Sequence, residues 1–488
     1  MILKAMLSGI DDALLQGSLD VSCCDVIIDS RKELAGAAFV CIAGSMTNTH
    51  DFAKDVAAAG ASAIIISQDI EMPEGVTVVR VKDTRLALAH MSAAHFGYPS
   101  RKMKVIGITG TKGKTTATHM LYAILNAAGK KAGLIGTNGV TFGDVHYPTR
   151  NTTPESYELQ QRFAEMVDAG CEYVVMEVSS QGIMMHRTAG IDFEIGVFTN
   201  ITPDHIGPNE HASFEEYLAT KARLFTLCKK GIVNADDPHY EEMIAGHTCE
   251  MHTFSRSGCG DFSATDIKNV HTDSYMGMEF TYHGSSEYKV SVGIPGIFNI
   301  DNALAAIGVA DLLGIEPSAI CEGLRKIRVN GRMELVHVSN HCSIIIDYAH
   351  NGVSARSMLS VLTEYHPKRL VVVFGCGGNR DPHRRYEMGE AVGSVADLAI
   401  ITEDNSRYED PLDIIKDIHI GFDKTDGRSI DIPDRREAIR YSIEHSAQGA
   451  LIAIIGKGHE DYQETRGVRT HLLDSEEAEK VLADLGWN

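Results

Sequence analysis

The chain has 488 residues, more than a single hydrophobic core usually serves, and a formal net charge of −21. Hydrophobic residues make up 44% and charged residues 23%, as in ordinary globular proteins, and the acidic balance argues against wrapping a nucleic-acid backbone. No apolar run approaches the roughly 20 residues that span a bilayer, and the ten scattered cysteines favour free thiols in a reducing cytoplasm over a disulfide framework.

Short apolar runs alternate with amphipathic stretches along the chain, which is typical of parallel sheets covered by helices. In the first hundred residues we predict strands at 61–67 and 78–81, a helix at 86–96 and a Pro/Gly linker at 97–100. A second unit opens with a strand at 105–109 and a helix at 117–128, and continues with a strand at 174–177 and, within 197–205, a strand that runs into a polar turn. A third unit begins near 342, with strands at 342–347, 370–374, 398–402 and 451–455. Ligands are expected in the loops after these strands.

A glycine-rich loop stands between the predicted strand 105–109 and the helix that follows. Its residues are Gly110, Thr111, Lys112, Gly113, Lys114, Thr115 and Thr116. Backbone N–H groups of such a loop point at phosphate oxygens, Lys114 would reach the β/γ-phosphates, and the Thr115 hydroxyl would bind Mg²⁺. Position 108 is Ile where a strict Walker A loop has its first glycine. The sequence therefore predicts an ATP site with a shortened loop.

The segment T-G-T-K-G-K-T-T resembles the shortened phosphate loop of Mur ligases, folylpolyglutamate synthases and cyanophycin synthetases, which make amide bonds through an acyl phosphate. In chain order, Glu177 and His205 resemble the Mg²⁺ ligands of Mur ligases. Lys221 matches the lysine that CO₂ carbamylates there, giving an anion that helps hold a second Mg²⁺. The resemblance implies ATP, two Mg²⁺ ions held by Thr115, Glu177, His205 and Lys221, and catalytic roles for Lys114, Lys221 and His205.

Two later segments add to this resemblance. Asn302 matches the second Asn of the family segment G-x-F-N-x-x-N, and Arg332 matches the Arg of G-R-x-E. The resemblance implies that both contact ATP.

The amino-terminal region resembles the nucleotide-sugar domain of the Mur ligases that add the third amino acid, the UDP-N-acetylmuramoyl-tripeptide synthetases. The resemblance implies that the UDP-linked precursor is held by Ser30, Gly44, Ser45, Met46, Asn151, Thr152, Thr153, Ser179 and Arg187. Two positions depart from the pattern: Gln181 stands where many relatives have His, and Met185 where others have Gln.

The last third carries the segments D-Y-A-H, G-C-G-G-x-R-D and G-K-G-H-E, with D-N-S-R in place of the family's D-N-P-R. The resemblance implies that the incoming amino acid is held by Arg380, Asp404, Asn405, Ser406, Arg407, Gly456 and Glu460. A guanidinium holds a carboxylate bidentately, and a site built that way penalises lysine, which lacks the far carboxylate. Arg380 and Arg407 thus favour meso-diaminopimelate, and L-lysine stays an alternative because Ser406 replaces the Pro.

The resemblance implies an α/β fold with three-domain Mur ligase architecture: residues 1–98 bind the UDP-sugar, 99–332 form a central P-loop sheet that binds ATP, and 333–488 form a Rossmann-like domain for the amino acid. We expect a monomeric, cytoplasmic peptide ligase of cell-wall synthesis that binds small molecules, without nucleic-acid or membrane partners. A folate or poly-amino-acid ligase, and an inactive paralogue that binds a precursor, stay open as alternatives.

Overall fold

The computed structural model describes residues 1–44, 47–208 and 210–487. The chain forms two compact units, Met1–Phe254 and a second that begins at Ser255. The three-domain division at 98/99 and 332/333 stays a prediction. All ten cysteines are free thiols. Within the described ranges, no helix combines the length and the apolar character needed to cross a membrane.

The first unit opens with a small sheet covered by helices. Its elements are α1 (Leu3–Met6), β1 (Asp12–Gln16), β2 (Val26–Ile27), β3 (Ala38–Val40), α2 (Ala53–Ala58), β4 (Ala63–Ile66), β5 (Thr77–Val81) and α3 (Thr84–His95). The strand order is β1-β5-β4-β3-β2, and only β1 is antiparallel to its neighbour. Helix α3 begins two residues before its predicted start because the Asp83 carboxylate caps it, accepting from the N–H groups of Arg85 and Leu86.

The larger sheet of the first unit carries the phosphate loop. Its elements are β6 (Lys104–Thr109), α4 (Lys114–Ala127), β7 (Ala132–Gly136), β8 (Gly139–Phe142), β9 (Val145–Tyr147), α5 (Ser156–Asp168), β10 (Tyr173–Glu177), α6 (Ser180–Met184), β11 (Phe193–Phe198), α7 (Phe214–Ala222), β12 (Cys228–Asn234), α8 (Tyr240–Ile244) and β13 (Glu250–Ser255). The order is β13-β12-β11-β6-β10-β7-β8-β9, with every pair from β13 to β7 parallel.

Strand β6 lies between β10 and β11, so the chain leaves it toward β7 on one side and later returns to β11 on the other. Such a switch point opens a crevice at the carboxyl end of the central strand. The strand predicted to start at 197 spans Phe193–Phe198 instead. The helix predicted from 117 begins at Lys114, so the phosphate-loop lysine is itself helical.

The second unit contains the remaining elements. They are β14 (Phe262–Thr272), β15 (Tyr275–His283), β16 (Glu287–Val292), α9 (Phe298–Leu312), α10 (Pro317–Arg325), β17 (Glu334–Val338), β18 (Cys342–Asp347), α11 (Gly352–Thr363), β19 (Arg369–Phe374), α12 (His383–Gly393), β20 (Leu398–Ile401), α13 (Pro411–Phe422), β21 (Ser429–Asp431), α14 (Arg435–Glu444), β22 (Ala450–Ile455), β23 (Tyr462–Thr465), β24 (Val468–His471) and α15 (Asp474–Leu485).

Strands β14, β15 and β16 pair antiparallel, and β23 and β24 form a separate hairpin. The main sheet of this unit has the order β17-β18-β22-β19-β20-β21, parallel except for β17. The four strands predicted here are confirmed, and β17 adds an edge strand before 342. The carboxyl ends of parallel neighbours meet at one edge of a sheet, so the loops after β18, β19, β20 and β22 gather there.

Candidate active site

The phosphate loop lies between the end of β6 and the start of α4. Gly110 and Gly113 have φ angles of 151° and 84°, which favour glycine. A Cβ on Gly110 would lie 2.0 Å from the Thr199 hydroxyl oxygen. The Lys114 ammonium donates to the carbonyls of Gly110 (2.8 Å) and Thr111 (3.0 Å). The glycines thus let the loop turn tightly at the helix N-terminus, an arrangement that binds phosphate.

The turn after β11 holds this loop in place. Asn200 accepts the Thr111 N–H on its backbone carbonyl (2.8 Å) and the Lys112 N–H on its side chain (3.0 Å). Its side-chain amide donates back to the Lys112 carbonyl at 3.0 Å. The Lys112 side chain is exposed and Thr116 is buried. Sequence reasoning missed Asn200, although its place directly after a strand of the same sheet was a usable signal.

Lys221 ends on the same loop. It lies on α7 with 1% exposure, and its Nζ donates to the Gly110 carbonyl at 2.9 Å, so Lys114 and Lys221 share one acceptor. Its Nζ also lies 4.6 Å from the Tyr217 ring centroid. Burial, with the charge of Lys114 as the second cause, holds the pKa of Lys221 well below the ordinary lysine value. The surroundings of Lys221 thus favour the neutral amine.

Glu177, the last residue of β10, is buried beside the loop. Its Oε1 accepts from the Thr115 hydroxyl (3.0 Å) and from the Thr137 backbone N–H (2.8 Å). Thr115 and Glu177, both predicted Mg²⁺ ligands, are therefore brought together. A Cβ on Gly136 would lie 2.3 Å from the same carboxylate oxygen, so the end of β7 must carry glycine there. Thr137 was missed by sequence reasoning, because nothing in the sequence pairs it with a carboxylate 40 residues away.

His205 is placed differently. Its φ is 54°, its side chain is 48% exposed, and its Nδ1 lies 3.0 Å from Glu210 Oε1. Within the ranges that the structure describes, no three His, Cys, Asp or Glu side chains gather into a metal-binding group. Mg²⁺ usually keeps several waters and uses one or two carboxylates plus phosphate oxygens. The adjacent oxygens of Thr115 and Glu177 fit that preference; the role of His205 stays a prediction.

The predicted precursor residues of the central region form one hydrogen-bonded group. The Thr153 hydroxyl donates to the Glu177 carbonyl at the end of β10 (2.9 Å) and accepts from the Ser179 N–H (2.9 Å). Arg187 donates to the Thr153 carbonyl (3.2 Å) and to Glu155 Oε1 (2.8 Å). Its guanidinium is therefore fixed beside the threonines. The Thr152 and Thr137 hydroxyls are 3.1 Å apart.

The other predicted precursor residues are more scattered. Asn151 is exposed at the start of the N-T-T-P segment, residues 151–154. Ser30 and Gly44 follow β2 and β3 of the small first sheet, and Gly44 donates its N–H to the Thr47 carbonyl. Ser45 and Met46 lie outside the described residues.

The two remaining predicted ATP contacts belong to the second unit. Asn302 is buried on α9, and its side-chain amide donates to Asn299 Oδ1 at 3.0 Å. Arg332 stands before β17 with its guanidinium carbon 5.2 Å from the Tyr348 ring centroid. Their contact with nucleotide stays a prediction.

A cavity of about 210 Å³ opens at the carboxyl edge of the main sheet of the second unit. It is lined by Tyr348, His350, Cys376, Gly377, Arg380, Asp381, Arg384, Arg385, Asp404, Asn405, Arg407, Gly456 and Glu460. Six of the seven predicted amino-acid contacts are among these residues. Ser406 is not: it is fully buried, with its hydroxyl 3.5 Å from that of Thr465.

Glu460 is held by hydrogen bonds inside the cavity wall. Its two carboxylate oxygens accept from the Asn405 amide (2.7 Å) and the Tyr348 hydroxyl (3.3 Å). The buried Lys457 lies 3.8 Å away. Burial, and then the charge of Asp404, raise the pKa of Glu460 above the ordinary glutamate value. The carboxylate is thus positioned to accept from an amine.

Arg407 is held just as firmly. Its φ is 52°, an unusual conformation for a side-chain-bearing residue, and its Nη1 donates to the Gly378 carbonyl at 2.6 Å. A Cβ on Gly377 would lie 3.2 Å from that nitrogen and 4.0 Å from Arg380 Cγ. Two guanidinium-bearing side chains therefore flank one glycine pair in the cavity wall.

Comparison with known proteins identifies the family. Residues 108–310 match the Mur ligase middle domain, and residues 331–458 match the Mur ligase glutamate ligase domain. A protein of Clostridium perfringens named UDP-N-acetylmuramoyl-L-alanyl-D-glutamate--2,6-diaminopimelate ligase is 40% identical over 99% of both chains. A protein of the same name from Caldanaerobacter subterraneus is 41% identical over 92% of both chains.

The chain belongs to the Mur ligase family. A solved structure with the same ligase name aligns over 100% of this chain and 99% of its own, with a TM-score of 0.75 and 27% identity. The three-domain architecture predicted for the fold is thus confirmed as that of Mur ligases. A folylpolyglutamate synthase of Mycobacterium tuberculosis, at 18% identity and a TM-score of 0.57, aligns with 76% of this chain and shares the fold alone.

Within this Mur ligase, the departures from the family pattern lie close to the precursor group. Gln181 is half-buried on α6, and Met185 ends that helix two residues before Arg187. Helix α6 is capped by Ser179, whose hydroxyl accepts the Gly182 N–H at 3.0 Å. Gln181 thus lies on the short helix that Ser179 starts, and Met185 directly follows that helix. Their effect on the precursor stays a prediction.

Proposed function

We propose that this Mur ligase uses ATP to join 2,6-diaminopimelate to UDP-N-acetylmuramoyl-L-alanyl-D-glutamate, the reaction that the names of its relatives describe. The cavity of the second unit carries the proposal: Arg380 and Arg407 line the same small space as Asp404 and Glu460. Diaminopimelate bears two carboxylates and two amines. It therefore offers carboxylate partners to the two arginines and amine partners to the two acidic residues. The relatives' full-length match supports this reading over a folate or poly-amino-acid ligase.

The same cavity argues against L-lysine as the substrate. Lysine offers the far amine to Glu460 but has no carboxylate for Arg407 and Arg380. Arg407 is half-buried and Arg380 is exposed. Sites built on such bonds reject analogues that lack the bonding group by large factors, because the donors of the site are then left without that partner. Arg407 is already fixed on the Gly378 carbonyl, so binding a carboxylate would require little ordering of its side chain.

The chemistry proposed for the first unit is formation of an acyl phosphate. The D-glutamate side-chain carboxylate attacks the γ-phosphorus of ATP, and ADP leaves. Lys114 and the loop N–H groups hold the phosphates. Thr115 and Glu177 would hold Mg²⁺, which would neutralise phosphate charge. The amine of diaminopimelate then attacks the acyl carbon, and the tetrahedral intermediate releases phosphate and leaves the amide.

We also propose that Lys221 acts as a carbamate. Its neutral amine nitrogen would bond to the carbon of CO₂ and release a proton to water, which replaces a neutral amine by an anion beside the loop. The support is its burial and its shared acceptor with Lys114, both of which disfavour a second ammonium at this place. We place the monomeric enzyme in the cytoplasm, where ATP is supplied.

Phosphate release from ATP tests the proposal. The purified protein would be given UDP-N-acetylmuramoyl-L-alanyl-D-glutamate with meso-diaminopimelate, L-lysine or L-glutamate in parallel. We expect release with diaminopimelate, at least about 10²-fold above lysine in kcat/KM. Preference for lysine would keep the family and overturn the substrate. No release with any amine, in protein that binds ATP, would favour an inactive paralogue that binds precursor.

A matched pair of variants sharpens the assay. Arg407→Lys keeps the charge but loses the two-pronged donor, so the preference for diaminopimelate over lysine should fall by about tenfold or more. Arg440→Lys makes the same change at an α14 arginine outside the cavity lining, paired with Glu444 and Asp484, and should leave the preference unchanged.

A further inference from the structure

Arg385 is a buried cation of the second unit to which the proposed function gives no role. It lies on α12, and its side chain is 3% exposed. Its guanidinium donates to Asp417 (2.8 Å), to Glu409 (2.9 Å) and to the Gly377 carbonyl (3.4 Å). A buried guanidinium without such partners would be strongly destabilising. The arginine and its two carboxylates therefore form one unit.

These contacts join four separate pieces of chain. Arg385 is on α12, Asp417 is on α13, Glu409 belongs to the loop after β20, and Gly377 to the loop after β19. Glu409 Oε1 also accepts the N–H of Asn379, which lies in the loop after β19. One carboxylate oxygen of the loop after β20 therefore contacts both Arg385 and the loop after β19. Through Glu409, Arg385 sets the spacing between the two loops.

Those two loops carry Arg380 and Arg407, two of the arginines that line the cavity. The Gly378 N–H donates to the Asn405 carbonyl (2.9 Å), and the Tyr408 N–H donates to the Asn379 side chain (3.2 Å). Arg407 donates to the Gly378 carbonyl, one residue after the carbonyl that accepts from Arg385. A shift between the loops would therefore move Arg407 relative to the glycine pair on which it rests.

Charge gives a second reason for the arrangement. Arg380, Arg385 and Arg407 all lie around Gly377 and Gly378. Arg385 is paired with two carboxylates, Glu409 and Asp417. Arg385 lines the cavity as Arg380 and Arg407 do, but its positive charge is offset inside the wall by these two carboxylates. The wall can hold three guanidinium groups without presenting all three charges to a ligand.

We propose that Arg385 is a positioning residue for substrate selectivity, which acts through Glu409 to hold Arg407 and Arg380 at the spacing that fits a carboxylate. This inference rests on the proposed function of the same cavity. It concerns one substrate only: the amino acid that the cavity takes. Binding of ATP and of the UDP-linked precursor is independent of it.

Steady-state kinetics of Arg385→Lys, Arg385→Met and Glu409→Gln test the inference. In Arg385→Met we expect KM for diaminopimelate to rise about tenfold or more, because displacements near 1 Å have effects of this size or larger. KM for ATP and for the precursor should stay within about twofold of wild type. Arg385→Lys keeps the positive charge but loses the two-pronged guanidinium donor. Its KM for diaminopimelate should lie between those of wild type and Arg385→Met. The kcat/KM preference for diaminopimelate over lysine should fall in parallel.

Glu444→Gln is the matched control for Glu409→Gln. Both remove the charge of a glutamate paired with an arginine, and the two side chains are 33% and 35% exposed, but Glu444 lies on α14 outside the cavity lining. Glu409→Gln should raise KM for diaminopimelate, and Glu444→Gln should not. In the Arg385→Lys/Glu409→Gln double variant, the rise in KM should be less than the product of the single effects, because both break one contact.

The outcomes separate the two proposals. Wild-type protein that fails to ligate diaminopimelate contradicts the proposed function, whatever the variants do. If wild type ligates it, equal effects of Glu409→Gln and Glu444→Gln, or a rise in KM for all three substrates together, overturns the role of Arg385. If Arg385→Met does not fold, Arg385→Lys and the two glutamine variants still give the same decision.

Discussion

The phosphate loop and the amino-acid cavity hold their ionisable side chains in different ways. In the loop, Lys114 and Lys221 both donate to a backbone carbonyl, that of Gly110. In the cavity wall, the charged groups are held largely by other side chains: Asn405 donates to Glu460, and Arg385 donates to Glu409. The loop holds its lysines on backbone carbonyls, whereas the cavity adds a side-chain network to the Gly377 and Gly378 carbonyls that accept from Arg385 and Arg407.

The difference teaches where each site is vulnerable. A backbone carbonyl survives every substitution that keeps the turn, so the loop depends on its glycines and on the lysines themselves. A side-chain network fails when any member changes, and its effects are not additive. We therefore expect substitutions at the loop to remove activity outright, and substitutions in the cavity to change which amino acid is used.

The largest effect is expected for Lys221→Met, which keeps an unbranched buried side chain but removes the amine. We expect kcat to fall about 10³-fold or more, because charge stabilisation next to the transferring phosphoryl group is lost. Thermal unfolding should not occur at a lower temperature, since the variant also removes a buried amine that Lys114 repels. Single-turnover phosphate release and a thermal melt are the two measurements.

Lys229→Met is the control for this prediction. Lys229 is a β12 lysine with 70% side-chain exposure, paired with Glu194, and its loss should leave kcat unchanged. A Lys221→Met protein that keeps kcat within about tenfold of wild type would contradict both the carbamate and the assignment of Lys221 to the reaction.

The loop is also the part that the sequence predicted best. A strand–glycine–lysine–helix order is local, so β6, the loop and the start of α4 follow from adjacent residues. The cavity residues were predicted one by one from the resemblance to Mur ligase segments, in loops that follow predicted strands. The network between members was not: Glu409 is 24 residues from Arg385, and Thr137 is 40 residues from Glu177. Side-chain partners at such separations depend on strand order, which no local pattern encodes.

The pH dependence of KM for diaminopimelate tests the side-chain network of the cavity. Burial and the charge of Asp404 raise the pKa of Glu460, and only its ionised form accepts two hydrogen bonds from an ammonium. As pH falls through this raised pKa, Glu460 protonates and the amine loses its partner. KM for diaminopimelate should therefore rise as the pH is lowered, and the rise should begin at a higher pH than an ordinary glutamate would give.

Glu460→Gln separates this effect from other titrations. Its KM for diaminopimelate should be raised at all pH values and should depend less on pH, while KM for ATP follows the same profile in both proteins. An unchanged slope in Glu460→Gln would assign the titration to another group and leave Glu460 without the proposed role.

The smallest effect is expected where this chain departs from D-N-P-R. Ser406 is buried, points to Thr465 rather than into the cavity, and has a hydroxyl contact of only 3.5 Å. Ser406→Pro should change the free energy of unfolding by no more than about 1 kcal/mol, because a restrained unfolded chain offsets the lost contact. KM for diaminopimelate should stay within about twofold of wild type. Urea unfolding measures the first quantity, and the same kinetic assay measures the second. A larger rise in KM would mean that the backbone conformation at Ser406 positions Arg407, and that proline cannot adopt that conformation. The loop would then be a part of the network whose geometry is particular to this chain, and selectivity would depend on its backbone as well as on its side chains.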